Sequence, residues 1–193
     1  MKKLLNINSL YHDLHTVHPL ERASILHLQG CRKGRTDPCP GCANKDLWSE
    51  EPKWLVDAVE LADIVIRYAA APALSISGGE PLDQYELLCQ LLETLSRAHF
   101  SILMWTGFEM KQVESDFSPI LQWLDCIITG PYVEEEKLQT TPFISSRNQE
   151  VHCLTERAIK FFAPPRHAVE YELIIHKRGL GLVSLGCELP GLR

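Results

Sequence analysis

Between residues 24 and 129 the apolar positions fall into four short runs separated by longer, periodic stretches. SILHLQG (24–30) is an apolar run closed by Gly30 and predicts a strand. PKWLVDAVELADIVIRYAA (52–70) predicts an amphipathic helix, with Leu55, Ala58, Val59, Ala62, Val65, Ile66 and Ala69 recurring at spacings of three and four. Pro52 suits its first turn. ALSIS (73–77) predicts a second strand, closed by Gly78 and Gly79. Pro81 and Asp83 then open a helix over 82–98 with Tyr85, Leu88, Leu91, Leu92 and Leu95 on one face. FSILMW (100–105) predicts a third strand, broken at Thr106-Gly107. A helical stretch over 109–124 leads to DCIIT (125–129), the fourth.

This alternation implies parallel strands joined by helical crossovers. The strand runs are apolar throughout, as in a sheet buried on both faces. Beyond residue 130 the periodicity weakens. PYVEEEKLQTTPFISSRNQE predicts a long loop with a short helix. AIKFF (158–162), VEYELIIHK (169–177) and GLGLVSLG (179–186) predict strands, the first two separated by the turn APPRH. There is no internal repeat, low-complexity tract or clear linker. The expected organisation is a single domain, 1–193, with 151–193 as a strand-rich C-terminal extension.

Composition narrows the function classes. A chain of 193 residues, 45% apolar and 23% charged, has the make-up of one soluble globular domain. A net charge of −6 argues against a general nucleic-acid binder. No stretch has the length and apolarity of a membrane span, so no membrane association is expected. Asn6, Asn8 and Ser9 interrupt the start of the chain, which does not read as a signal peptide. Seven cysteines without an export signal point to reduced thiols in the cytoplasm.

Three of those cysteines crowd into CRKGRTDPCPGC (31–42), directly after the first predicted strand. Parallel α/β sheets bind ligands at the carboxyl ends of their strands, so the loop stands where a site belongs. Three soft thiolates suit zinc or an iron–sulfur cluster. Four-cysteine sites are the usual closed arrangement, and a three-cysteine set leaves one metal position open. A zinc staple completed by His27, His12 or a distant cysteine satisfies the local spacing as well. SGGEP (77–81) adds a second signal at the end of the second strand. Paired glycines let the backbone approach a ligand, the following helix offers free N–H groups, and Glu80 supplies a carboxylate for an ammonium partner. Alone, SGGEP would be only a strand-to-helix turn; one strand after a cysteine loop, it points to a cofactor site.

The order C…C-P-G-C-A-N, S-G-G-E-P, W-T-G-F, G-P-Y and S-S-R-N-Q, spread over 24–150, resembles the radical SAM activating enzymes. The nearest likeness is to the activating proteins of anaerobic ribonucleotide reductase. The resemblance implies an α/β fold, a partial (β/α) barrel open on one side. The number of strand–helix units agrees, since a closed eight-stranded barrel usually needs about 250 residues. It further implies a [4Fe–4S] cluster on Cys31, Cys39 and Cys42, with S-adenosylmethionine on the remaining iron. Gly41, Ala43 and Asn44 flank the last cysteine. Ser77, Gly78, Gly79 and Glu80 match the turn that holds the methionine ammonium end, and Thr106 lies in the W-T-G segment with Trp105 and Gly107. Asp125, Gly130, Pro131 and Tyr132, then Asn148 and Gln149, match the remaining motifs. The implied activity is reductive cleavage of S-adenosylmethionine to a 5′-deoxyadenosyl radical. The implied partners are a glycyl radical enzyme as protein substrate and a reductant such as flavodoxin or ferredoxin.

The chain departs from the family most seriously in one place. C-x7-C-x2-C replaces the usual C-x3-C-x2-C, and Gly34 and Pro38 predict that the extra residues loop outward. The added closure cost is below about 1 kcal/mol. The departure leaves open a different peptide or small molecule as substrate. Arg147 also interrupts the S-S-N-Q stretch. Arg32, Lys33 and Arg35 in the insertion are expected at the mouth of the site, where they would steer an acidic partner surface.

Other conspicuous residues carry plainer expectations. Cys89 and Cys126 read as small buried apolar groups, and Cys153 and Cys187 as isolated. His12, His15 and His18 read as a solvated segment. Trp48, Trp54, Trp105 and Trp123 read as core or rim, and EEEK (134–137) as an exposed helix face.

Overall fold

The computed structural model describes residues 3–20, 22–138 and 143–160 in full, and the backbone of 161–162, 172–176 and 179–183. In chain order the elements are β1 (Leu5–Leu14), β2 (Ala23–Leu28), α1 (Arg32–Thr36), β3 (Trp54–Val56), α2 (Ala58–Tyr68), β4 (Ala73–Gly78) and α3 (Tyr85–Arg97). There follow β5 (Ser101–Trp105), α4 (Met110–Asp116), β6 (Cys126–Thr129), β7 (Glu150–Cys153), α5 (Glu156–Phe162), β8 (Glu172–His176) and β9 (Gly179–Val183). The main sheet has seven strands in the order β3-β1-β2-β4-β5-β6-β7. Its centre, β2-β4-β5-β6, is parallel, as the alternation of runs predicts. Antiparallel β1 and β3 close one side and antiparallel β7 the other. This is a mixed α/β fold. The hairpin β8-β9 pairs separately and accounts for the strands expected over 169–177 and 179–186; the turn at 163–167 lies outside the described residues.

Both faces of the central strands are buried, and successive residues divide between them. Leu26, Leu28, Leu74, Ile76, Ile102, Met104 and Ile127 join the main core. On that face α3 packs Leu88, Leu91, Leu92 and Leu95, the stripe expected from sequence. The opposite face carries Ile25 and Ala73 in one smaller cluster and Leu103, Trp105, Cys126 and Ile128 in another. No helix among the described residues is long and apolar enough to cross a membrane.

Four expectations need correction. The segment 52–70 is not one helix. Asp57 caps α2, its carboxylate accepting from Val59 N–H and Glu60 N–H at 3.0 and 3.2 Å, and Trp54–Val56 instead pairs with β1. The buried stripe of α2 is Ala58, Leu61, Ala62 and Val65, while Leu55, Val59 and Ile66 are exposed. The stretch 109–124 ends as α-helix at Asp116 and continues as a 3₁₀ turn, Ser118–Trp123, because Pro119 cannot supply a helical N–H. Residues 158–162 belong to α5 rather than a strand. Thr155 starts that helix, its carbonyl accepting from Ile159 N–H and its hydroxyl from Ala158 N–H. Finally, the histidine trio is only partly a solvated segment: His15 is exposed, but His12 sits in β1 bonded to the Ser24 hydroxyl at 2.8 Å, and His18 is buried.

Candidate active site

The site forms where the parallel strands end. β2 runs out at Gly30, whose φ of +105° turns the chain into the cysteine loop. Gly30 N–H and Cys31 N–H bond the carbonyls of Leu47 and Trp48, closing the loop on itself. Cys31 caps α1, its sulfur accepting from Gly34 N–H at 3.1 Å. The insertion therefore does not loop outward; it folds as the short helix α1. Gly34 is buried there because the Trp48 ring occupies the space a Cβ would need.

The loop's far end closes on the second motif. Cys42 N–H bonds the Cys39 carbonyl at 3.3 Å, and Gly41 between them takes a left-handed φ of +73°. Asn44 Nδ2 then reaches the Gly78 carbonyl at 3.2 Å. Gly78 has φ +120°, and a Cβ there would overlap the Leu28 backbone; a Cβ on Gly79 would overlap the Gly30 carbonyl. The two glycines let the turn press against the end of β2, sealed by Gly79 N–H to Leu28 O (2.9 Å) and Glu80 N–H to Gly30 O (2.8 Å).

Glu80 is buried, and three donors converge on it. Oε1 accepts from Leu82 N–H (3.0 Å) and the Thr106 hydroxyl (2.8 Å), and Oε2 from Gly107 N–H (2.8 Å). Burial pushes its pKa up to about 7 against the pull of these hydrogen bonds. A cation beside it would reverse that shift.

One open cavity is lined by all three loop cysteines, by Asn44, by Ser77, Gly78, Gly79 and Glu80, and by Trp105, Thr106 and Gly107. Gly41 and Ala43 shape the loop without lining the cavity. The Cys31 thiol is pushed up to about 11 by burial, with Gly34 N–H opposing. Cys39 is raised by burial, with Lys33 and the Tyr132 N–H opposing. Such thiols are protonated at neutral pH and release protons when a metal binds.

The donor set suits an iron–sulfur cluster: three thiolates of one loop line one cavity, which would leave one iron open. Among the described residues no three His, Cys, Asp or Glu side chains are grouped as a single-ion site. His12 and His27, the candidates for completing a zinc staple, are bonded to Ser24 and Ser9 instead. Cys89 lies in α3 and Cys126 in β6, away from the loop, and Cys187 lies outside the described residues.

The remaining motif residues, Tyr132 and Gln149 among them, complete the walls, and Glu134, which the sequence did not single out for the site, backs the cysteine loop. Tyr132 donates its hydroxyl to Glu134 Oε2 at 2.5 Å, and the Glu134 carboxylate covers Gly41. Glu134–Glu136 is a 3₁₀ turn whose three side chains are exposed, as expected, with Glu134 lying against Gly41 of the cysteine loop. Gln149 Oε1 accepts from Ser145 N–H at 2.8 Å while its Nε2 donates to the Gly130 carbonyl at 3.3 Å. Asn148 Nδ2 donates to Pro131 O at 2.7 Å, so the N-Q motif pins the G-P-Y loop. Asp125 stays at the base of β6, outside the cavity. The insertion's cations are already matched: Arg32 with Asp83 (3.2 Å), Lys33 with Asp37 (3.6 Å) and Arg35 with Glu50. The expected basic steering patch is therefore largely neutralised.

Residues 22–152 match the 4Fe-4S single cluster domain family, well over half of the chain, and the chain belongs to that family. Its relatives include the anaerobic ribonucleoside-triphosphate reductase-activating proteins of Haemophilus influenzae, Salmonella typhimurium and Escherichia coli. The first is 28% identical over 138 residues, covering 66% of this chain and 84% of the relative. The other two are each 26% identical, over 154 and 156 residues, covering 75% of this chain and 96% of the relative. Among solved structures, QueE from Escherichia coli aligns with a TM-score of 0.42 at 23% identity, over 54% of this chain and 52% of that one. The likeness to reductase-activating proteins read from the motifs is borne out by the named relatives.

Proposed function

We propose that this chain is a radical SAM activating enzyme that installs a glycyl radical on an anaerobic ribonucleoside-triphosphate reductase. The observation that carries the proposal is the meeting of the three loop cysteines and the SGGEP turn in one cavity. A zinc staple has no use for a buried carboxylate and a glycine-lined wall beside its thiolates. Cys31, Cys39 and Cys42 would hold a [4Fe–4S] cluster, leaving one iron for the amino and carboxylate groups of S-adenosylmethionine. When bound, the two cofactors supply one-electron cleavage of a sulfonium bond, giving a 5′-deoxyadenosyl radical.

The chain's own residues bind and orient. The Gly78-Gly79 backbone leaves room for a ligand against the strand end. Glu80, held by Thr106 and Gly107, would accept a hydrogen bond from the N–H of the iron-bound amino group. Trp105 shields one wall from water. The relatives' names supply the partner class. The electron would come from a small redox protein such as flavodoxin or ferredoxin, and reduced thiols with such a cluster suit the cytoplasm.

The test is anaerobic. Reconstituted protein should be brown and, with dithionite and S-adenosylmethionine, should form 5′-deoxyadenosine. Adding the reductase should then give a glycyl doublet in electron paramagnetic resonance. A colourless protein with stoichiometric zinc, or turnover of a small molecule without a protein partner, would overturn the proposal.

A further inference from the structure

Cys126 and Cys153 face each other across the antiparallel β6-β7 pair. Thr106 N–H bonds the Ile128 carbonyl at 2.9 Å, which turns the polar groups of Ile128, and two residues earlier those of Cys126, toward β5. Leu154 N–H bonds the Asp125 carbonyl at 2.8 Å, the next position along the β6-β7 ladder. Cys126 and Cys153 are therefore a non-hydrogen-bonded pair, the kind whose Cα atoms stand about 4.5 Å apart with side chains closest. A disulfide needs Cα atoms about 4.4 to 6.8 Å apart, so the pair qualifies at the short end. The two thiols lie within side-chain hydrogen-bonding reach of each other. Both are free thiols on the sheet face that carries Trp105 and Ile128. The reaction proposed above uses neither.

We propose that Cys126 and Cys153 form a reversible cross-strand disulfide by exchange with a low-molecular-weight disulfide. Cys153 is partly exposed and Cys126 only 2% exposed, so Cys153 meets the oxidant first. Its sulfur attacks the small disulfide, a mixed disulfide forms, and one small thiol departs. The Cys126 sulfur then attacks the Cys153 sulfur, and the second small thiol departs. The two cysteines lose two electrons, the small disulfide gains them, and the two cysteine protons end on the released thiols. The bond ties the strand leading into Gly130 to the strand leaving Gln149, two residues of the site's outer wall.

The full chain, purified anaerobically, is equilibrated across mixtures of oxidised and reduced glutathione and quenched with acid. Free thiols are blocked with N-ethylmaleimide, and the protein is digested with trypsin without reductant. The expected product joins the peptide 148–157 to the peptide bearing Cys126, disappears on treatment with dithiothreitol, and varies with the glutathione ratio as a two-electron couple. In Cys153→Ser, Cys126 should take maleimide at every ratio. Maleimide on both cysteines of the parent chain at the most oxidising ratio would overturn the proposal. So would Cys153 found only as a glutathione adduct, or either residue joined to a loop cysteine.

Discussion

Thr106 donates its hydroxyl to Glu80 Oε1 at 2.8 Å, binding the ends of neighbouring strands β4 and β5 into one wall. The Glu80 pKa of about 7, raised by burial, makes the wall sensitive to pH. A carboxyl whose folded pKa exceeds its unfolded value binds more protons in the native state, so stability falls as pH rises from about 4.5 to about 7. The full effect is roughly 3 kcal/mol at about 1.4 kcal/mol per pH unit. Urea titrations of ligand-free protein should show that decline, and Glu80→Gln should flatten it. Equal slopes in the two proteins would mean that Glu80 ionises normally.

S-adenosylmethionine should reverse the shift. An iron-bound amine that donates N–H to Glu80 favours the carboxylate, so binding near pH 6 should expel the Glu80 proton as well as the amine's own, and should tighten as pH rises toward 7. Calorimetry in two buffers of different ionisation enthalpy measures the proton count. Glu80→Ala should weaken binding by about 1.5–3 kcal/mol, the worth of a charge-assisted contact. Equal proton release at pH 6 in the parent and in Glu80→Gln would place the amine elsewhere.

Cys39→Ala should lose the cluster, as should Cys31→Ala and Cys42→Ala, with iron falling to background. Cys89→Ala should keep it, because that thiol lies in α3 away from the loop. Iron and sulfide analysis with the visible spectrum decides this. A normal spectrum in Cys39→Ala would remove that residue from the ligand set.

The parallel centre and the meeting of the cysteine loop with SGGEP were legible because each rests on local constraint. Apolar runs closed by glycine mark buried strands, and SGGEP needs small residues wherever Gly79 presses on Gly30. β1 escaped because Asn6 and Asn8 read as interruptions. They are the outward half of an alternation whose inward half, Leu5 and Ile7, is fully buried. Glu134 escaped because its role depends on a long-range contact with Gly41 that no local pattern announces. The insertion was misjudged for the same reason: Gly34 looks like a turn residue, but its neighbour Trp48 is what demands it.

Gly34→Ala tests that contact. A methyl group there overlaps the Trp48 ring, and overpacking of this kind costs about 1–3 kcal/mol. Because Gly34 N–H also bonds the Cys31 sulfur, the variant should lose cluster occupancy along with stability. Trp48→Ala in the same chain should recover part of the stability. Thermal melts and iron content should move together, and an unchanged melt would show that α1 does not rest on Trp48.

Asp125 anchors the base of the sheet opposite the site. It accepts from Ile102 N–H at 3.0 Å, the Thr155 hydroxyl at 2.6 Å and Arg157 Nη2 at 2.6 Å. Burial alone would raise its pKa, but these donors and the Arg157 charge together hold the carboxyl below the ordinary 3.8. The stabilisation is present above that value and is lost as pH falls through the depressed folded pKa. Asp125→Asn should cost roughly 2–3 kcal/mol at neutral pH. That is less than for a fully buried pair, because Arg157 is 43% exposed and regains water when released. The difference between parent and variant should shrink below about pH 4. Glu86→Gln, which breaks only the exposed pair with Lys3, should leave the unfolding midpoint unchanged. Equal losses in the two variants would mean that the Asp125 network contributes no more than a surface ion pair.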